Sequence, residues 1–379
     1  MTRSESTSPP VRGSVSGRLP DFPWDKLVEY GERARAHENG IVDLSVGTPV
    51  DSTPQVVQSA LREAADSPGY PVTIGRVDTR QACIDWMTRR FGVSGLGLDA
   101  VLPVIGSKEL IASLPVHLGL GPDDLVVYPA LAYPTYEVGA ALAGARSIST
   151  DALTAVGPER VALVWINSPS NPTGRVLPLA HLRKVVAWCR ERNALLVSDE
   201  CYIEMAWESR PQDAPVSVLH PGVCDGDHRG ILAIHSLSKR SNLAGYRCAF
   251  AAGDPEVIGE LLAVRKNLGL QMPGPQQVAM KAALDDDVHV GEQHARYAAR
   301  RTRLKAVFES AGFRVDHSKA SLYLWATRGE SCWDTVGWLA GRGILVAPGE
   351  FYGPSGVQHV RIALTATDER VGEAVRRLG

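Results

Sequence analysis

The stretch Gly230–Gly253 reads GILAIHSLSKRSNLAGYRCAFAAG. Two apolar runs, Ile231–Ile234 and Cys248–Ala252, flank a polar loop. That loop holds Ser236, Ser238, Lys239 and, eight residues after the lysine, Arg247. An apolar run without polar interruption is what a strand needs when both of its faces are covered. The lysine and its hydroxyl neighbours then lie just beyond the end of a buried strand.

The same texture extends upstream. AVLPVIG, DLVVYP, RVALVWINSP and ALLVSDE all read as buried strands. Between them lie helical patterns: one opens at Ser107, and LRKVVAWCRER sets Leu182, Val185, Val186 and Cys189 on one face. TPQVVQSALREAAD, before the first of these strands, has the same periodicity. Strand–helix alternation predicts an α/β fold, with a mostly parallel central sheet sandwiched by helices. In such sheets ligands bind beyond the carboxyl ends of the strands.

From about residue 276 long charged helical patterns such as EQHARYAARRTRLKAVFES give way to short alternating strands. SLYLWA sets Leu322 and Leu324 against Tyr323 and Trp325; HVRIAL sets Val360, Ile362 and Leu364 against Arg361. The expected division is a large domain over 46–275 and a smaller α+β domain over 20–45 and 276–379. Residues 1–19, rich in Ser, Pro and Gly, are expected to form a flexible arm.

Composition narrows the function classes. The 379 residues carry 40 Lys and Arg against 42 Asp and Glu, so nothing favours nucleic acid or an anionic membrane as partner. No apolar run is long enough to span a bilayer, and the N-terminus lacks the apolar core of a signal peptide. Six cysteines without a CxxC pair suit a reducing cytoplasm and give no metal site. GLGL at 95–98 is no G-x-G-x-x-G turn, which argues against a dinucleotide oxidoreductase. A ligand-binding domain of a transcription regulator would need a DNA-binding head, and no basic recognition helix is evident.

Polar residues gather at the strand ends: Ser107 and Lys108, Asn171 in NPTG, Asp199 and Tyr202 in DECY, then Ser236, Ser238, Lys239 and Arg247. Each has an ordinary explanation by itself, such as a helix cap, a turn or a surface cation. Together they supply what pyridoxal 5'-phosphate requires. That cofactor needs a lysine amine, a carboxylate at the ring nitrogen, donors at the ring oxygen, and amides, hydroxyls and an arginine for the phosphate. A further arginine would clamp a substrate carboxylate.

With these ordered motifs the sequence resembles the fold-type I pyridoxal-phosphate aminotransferases of the aspartate aminotransferase superfamily, from DLSVGTP at residue 43 to HVRIALT at 365. The resemblance implies that Lys239 forms a Schiff base with the cofactor and that Asp199 pairs with the ring nitrogen. It implies that Asn171 and Tyr202 donate to the ring oxygen. Ser107, Lys108, Ser236, Ser238 and Arg247 would hold the phosphate, and Tyr133 would stack on the ring. Arg361 would bind the substrate α-carboxylate beside Gly47. Tyr70, in SPGYPVTIG, would reach the phosphate site of a second subunit, so a homodimer with a shared active site is expected. Asn171–Pro172 is a position where a cis bond is tolerated.

ASLYLWA, GILVAPGEFYGPSG and HVRIALTATDERV further resemble the N-succinyldiaminopimelate aminotransferases of lysine biosynthesis. That likeness implies glutamate as donor, a succinylated 2-oxo acid as acceptor and ping-pong kinetics. The same constellation also serves aminotransferases of alanine, aromatic amino acids or kynurenine, and C–S lyases. For the distal carboxylates Arg76, Arg80 and Lys266 come into view, with none assigned. His235, beside the lysine loop, is expected to be a core histidine.

Overall fold

The computed structural model describes residues 15–207 and 214–379. Of the expected N-terminal arm, residues 1–14 lie outside the described residues, and Val15–Arg18 form a single 3-10 turn. After a short strand β1 (Val42–Asp43) the chain builds β2 (Val101–Val104), β3 (Leu125–Tyr128), β4 (Arg146–Ser149), β5 (Val161–Asn167), β6 (Leu195–Asp199), β7 (Ile231–Ser236) and β8 (Ala249–Gly253). These last seven form one sheet in the order β2-β8-β7-β6-β5-β3-β4. Every pairing is parallel except the two made by β8.

Both faces of this sheet are covered, which is why its strands are almost wholly apolar. In β5, Leu163 and Trp165 enter one hydrophobic cluster, while Val164 and Ile166 enter the cluster on the other face. Helix Leu179–Glu191 covers that second face with Leu182, Val185, Val186 and Cys189, the periodic positions of its sequence.

The smaller domain holds β9 (Arg314–Asp316), β10 (Tyr323–Thr327), β11 (Ile344–Leu345), β12 (Ala347–Pro348) and β13 (Val360–Ala363). An antiparallel sheet runs β12-β13-β10-β9, and β11 pairs in parallel with β1. Register sets Trp325 opposite Arg361 and Leu324 opposite Ile362, so the alternation expected for both strands interlocks. The sequence texture changes near 276, but helix Gly274–Asp285 still buries Ala279, Met280, Ala283 and Leu284 in the large-domain cluster. The small-domain cluster, which already includes Leu27, Ala34, Val42 and Leu44, resumes with helix Val288–Ser310, through Tyr297, Leu304, Val307 and Phe308.

That helix also carries a buried polar stripe. His289 Nε2 meets the Ser241 hydroxyl at 2.8 Å, Gln293 accepts from Asn242, and Tyr297 donates to Asn242. Arg300 makes two 2.7 Å bonds to Asp51 and one to Asp368. The loop just beyond Lys239 is thus tied to the small domain.

Replacing Arg300 with alanine strands Asp51, and breaking a buried pair of this kind costs roughly 3–5 kcal/mol. Urea unfolding should show that loss as a lower midpoint. Burial alone would raise the Asp51 carboxyl, but the hydrogen bonds from Arg300 and Gln293 reverse it and hold it below its ordinary value. A depressed carboxyl stabilises the fold above its unfolded pKa. That contribution disappears as pH falls through the folded value, so the gap between wild type and Arg300→Ala should narrow in acid.

Candidate active site

The topology brings the strand-end residues to one edge. Asn167 ends β5 in register with Asp199, which ends β6. Ser236 ends β7 opposite Ala249, and Ala249 also faces Val104 at the end of β2. Because β8 runs against its neighbours, its amino end lies at the edge where their carboxyl ends lie. Arg247 precedes it there, in left-handed backbone at φ 60°.

A cavity of about 310 Å³ opens at this edge, between the large sheet and the small-domain strands β10 and β13. Lys239 and Asp199 both line it. Lys239 is held by a four-residue helical turn, Leu237–Arg240, whose Ser238 amide is capped by the Ser236 hydroxyl. Its Nζ donates to the carbonyl of Gly47. Burial lowers the amine pKa, with Arg361 and Arg247 adding in the same direction and Tyr323 opposing them. The neutral, nucleophilic amine is thereby favoured.

Asp199 is buried, and its carboxyl is fixed by the Tyr136 hydroxyl at 2.8 Å and the Cys201 amide at 3.1 Å. Burial pushes the carboxyl above its ordinary range, against these hydrogen bonds. A cation opposite it would restore the ionised form.

One end of the cavity is built for an anion. Helix Ser107–His117 points its uncapped first turn there, and Ser107 and Lys108 line the wall. Ser236 and Ser238, with hydroxyl oxygens 3.0 Å apart, and Arg247 complete it. Backbone amides, hydroxyls and a guanidinium in one place suit a phosphate. Gly106 makes room for Arg247: its φ is 108°, and a Cβ there would lie 2.1 Å from Nη2. Tyr133 lines the same wall, with Lys108 Nζ 5.8 Å from its ring centre.

The small domain contributes a buried arginine. Arg361 is 3% exposed; Nη1 donates to Asn171 Oδ1 at 3.0 Å and Nη2 to the Ser45 carbonyl at 2.6 Å. Its buried Nε has no hydrogen-bond partner. Asn171 is held in turn through its amide to Asn167 Oδ1, and the bond to Pro172 is cis. A buried guanidinium with donors to spare is ready for a carboxylate.

The cavity therefore gathers every residue to which the resemblance gives a role except Tyr70, which is 97% exposed. Arg76 pairs with Asp78, Arg80 donates to the Leu98 carbonyl, and neither they nor Lys266 line the cavity. His235 is a core histidine: Trp86 meets it edge-on, and burial holds its pKa down to about 3. Three contributors escaped the sequence reading. Tyr136 orients Asp199, Tyr323 sits between Tyr202 and Arg361, and Trp24 lines the cavity from the start of the small domain. For Tyr136 the one available signal was a second tyrosine three residues after Tyr133.

Among the described residues there is no cluster fit for a metal ion and no helix long and apolar enough to cross a membrane. All six cysteines are free. Residues 39–378 match the model of aminotransferase class I and II. A probable aminotransferase of Mycobacterium tuberculosis is 61% identical over 97% of this chain and 87% of its own length. The 4-dedimethylamino-4-oxo-anhydrotetracycline transaminase of Streptomyces rimosus is 56% identical over 95% of this chain and 99% of its own. Among solved structures, an aminotransferase from Staphylococcus aureus superposes with a TM-score of 0.86, at 25% identity over 96% of this chain and 97% of that one. A probable N-succinyldiaminopimelate aminotransferase from Thermus thermophilus gives 0.83, at 28% identity over 94% and 98%. The fold is that of the fold-type I enzymes, and the chain belongs to the class I and II aminotransferases.

Proposed function

We propose that this protein is a pyridoxal-phosphate-dependent aminotransferase taking its amino group from glutamate. Its proposed acceptor is N-succinyl-2-amino-6-oxopimelate, which becomes N-succinyl-LL-2,6-diaminopimelate. The observation that carries the chemistry is one cavity lined by the Lys239 amine, the Asp199 carboxyl and the Arg361 guanidinium. Support for the acceptor is the likeness to the Thermus protein of that name and the three small-domain stretches quoted above.

The residues present fit the cofactor. The anion site around Ser107, Lys108, Ser236, Ser238 and Arg247 suits its phosphate, and the clearance at Gly106 keeps Arg247 in that site. Asp199, fixed by Tyr136, suits its ring nitrogen; Asn171 and Tyr202 suit its ring oxygen, and Tyr133 its face. Bound there, pyridoxal phosphate supplies an aldehyde for a lysine and a ring that withdraws electrons from the substrate.

The chain's own residues do the rest. Arg361 holds the α-carboxylate with its fork, which fixes the substrate's Cα–H bond in the cavity. Lys239 Nζ takes the proton from that carbon and later returns one, a role that its lowered pKa favours. Asp199 would hold a proton on the ring nitrogen. One clamp serves donor and acceptor alike, because each presents a carboxylate on the carbon that loses or gains the amino group, so the two bind in turn and ping-pong kinetics follow.

A homodimer belongs to this reading, with the partner's Tyr70 completing the phosphate site. The near-complete exposure of Tyr70, away from its own cavity, supports it. A reducing cytoplasm suits six free cysteines.

The 56% identity to the tetracycline-pathway transaminase favours a second reading, a bulky polycyclic ketone as acceptor. Purified protein given glutamate should form 2-oxoglutarate fastest with the succinylated oxo acid. A faster rate with the polycyclic ketone, or with alanine or aromatic donors replacing glutamate, would discard the proposed substrate pair but keep the enzyme class.

A further inference from the structure

Strand β10 carries Tyr323 into the cavity at the point where three other segments meet. The guanidinium carbon of Arg361 lies over its ring, 4.0 Å from the ring centre. Its hydroxyl oxygen is 3.0 Å from that of Tyr202, and the side chain is 3% exposed. The loop after β1 leaves room for it only because residue 47 is glycine. A Cβ there would stand 2.1 Å from the Tyr323 hydroxyl oxygen, and the same glycine's carbonyl accepts from Lys239.

Two phenols at hydrogen-bond distance must settle which one donates. The charged or titratable groups facing Tyr323 are Arg361 from β13, Lys239 from its loop, and Cys201 and Tyr202 from the turn after β6. Burial raises both phenols. At Tyr323 the Arg361 guanidinium opposes that rise. A phenol carries one hydrogen, so if Tyr202 gives its own to the cofactor, its 3.0 Å contact with Tyr323 is made only by accepting the hydrogen of Tyr323. The hydrogen of Tyr202 is then free to point into the cavity.

We propose that Tyr323 is a positioning residue, whose hydroxyl donates to Tyr202 and so aims the Tyr202 hydrogen at the ring oxygen of the cofactor. This rests on the cofactor reading given above. A donor at that oxygen stabilises its ionised form, so weakening the donor raises the pH at which the bound cofactor changes colour.

The test is a pH titration of visible absorbance, without substrate, on the protein loaded with pyridoxal phosphate. Wild type, Tyr323→Phe, Tyr202→Phe and the double variant are compared. Phenylalanine keeps the ring on Arg361 and removes only the hydroxyl. The Tyr323→Phe midpoint should rise by about 0.4–1.1 pH units, the size of one neutral hydrogen bond. Tyr202→Phe should rise further, and the double variant should match Tyr202→Phe, because Tyr323 acts only through it. A wild-type midpoint in Tyr323→Phe, or shifts that add in the double variant, would overturn the proposal alone. A wild-type protein that takes up no coloured cofactor would overturn the reading beneath it as well.

Discussion

Lys239→Ala is expected to lose transamination, together with the visible absorbance of lysine-bound cofactor. In the proposed function the amine at this position has two tasks, holding the cofactor and moving the substrate proton. Proton transfer by a positioned side chain is alone worth roughly 10²–10⁴-fold, so kcat should fall by at least that factor. Alanine removes a buried, partly desolvated amine and frees the Gly47 carbonyl it bonded, so the fold should tolerate the change. Asp199, Tyr136 and the anion site do not depend on that amine. The variant should therefore still bind pyridoxal phosphate, by dialysis or fluorescence, without the shifted band. Steady-state turnover by Lys239→Ala near the wild-type rate would show that another group moves the proton.

Arg361→Ala is expected to weaken every amino acid donor and 2-oxo acid acceptor. Truncating one member of a buried, hydrogen-bonded charge pair costs about 2–5 kcal/mol, or roughly 30- to 5,000-fold in kcat/KM. The loss should fall mainly on KM, since the carboxylate is held in both ground and transition states. Arg361→Lys should rescue little, because an ammonium cannot replace a planar fork stacked on Tyr323. Alanine also leaves Asn171 Oδ1 and the Ser45 carbonyl without their donor. An amine lacking a carboxylate therefore serves as the internal control. It should lose far less than glutamate, whereas equal losses for both would mean the damage is structural.

Much of this site was legible because its residues follow buried strands directly. The runs ending at Asn167, Asp199 and Ser236 are apolar since both sheet faces are covered, so the first polar residue after each marks the ligand edge. Arg361 was legible for a different reason, as the one charge in an alternating strand. Tyr136 and Tyr323 were not, because their value lies in partners far along the chain. Tyr136 meets Asp199 across 63 residues, and Tyr323 meets Tyr202 across 121. Alternation did separate Tyr323 from its leucine neighbours, but an aromatic on such a strand reads as core until the Gly47 clearance is seen. The polar stripe of helix Val288–Ser310 was hidden likewise, since His289, Gln293 and Arg300 look like a solvated face until the lysine loop is packed against them.

The most direct test of the central claim is to load the purified protein with pyridoxal phosphate, reduce it with borohydride, and map the modified peptide by mass spectrometry. The account predicts one pyridoxyl group per chain, on Lys239 in the peptide around HSLSKR, and none in Lys239→Ala. A modification centred on Lys108 or another lysine, or no incorporation at all, would contradict it.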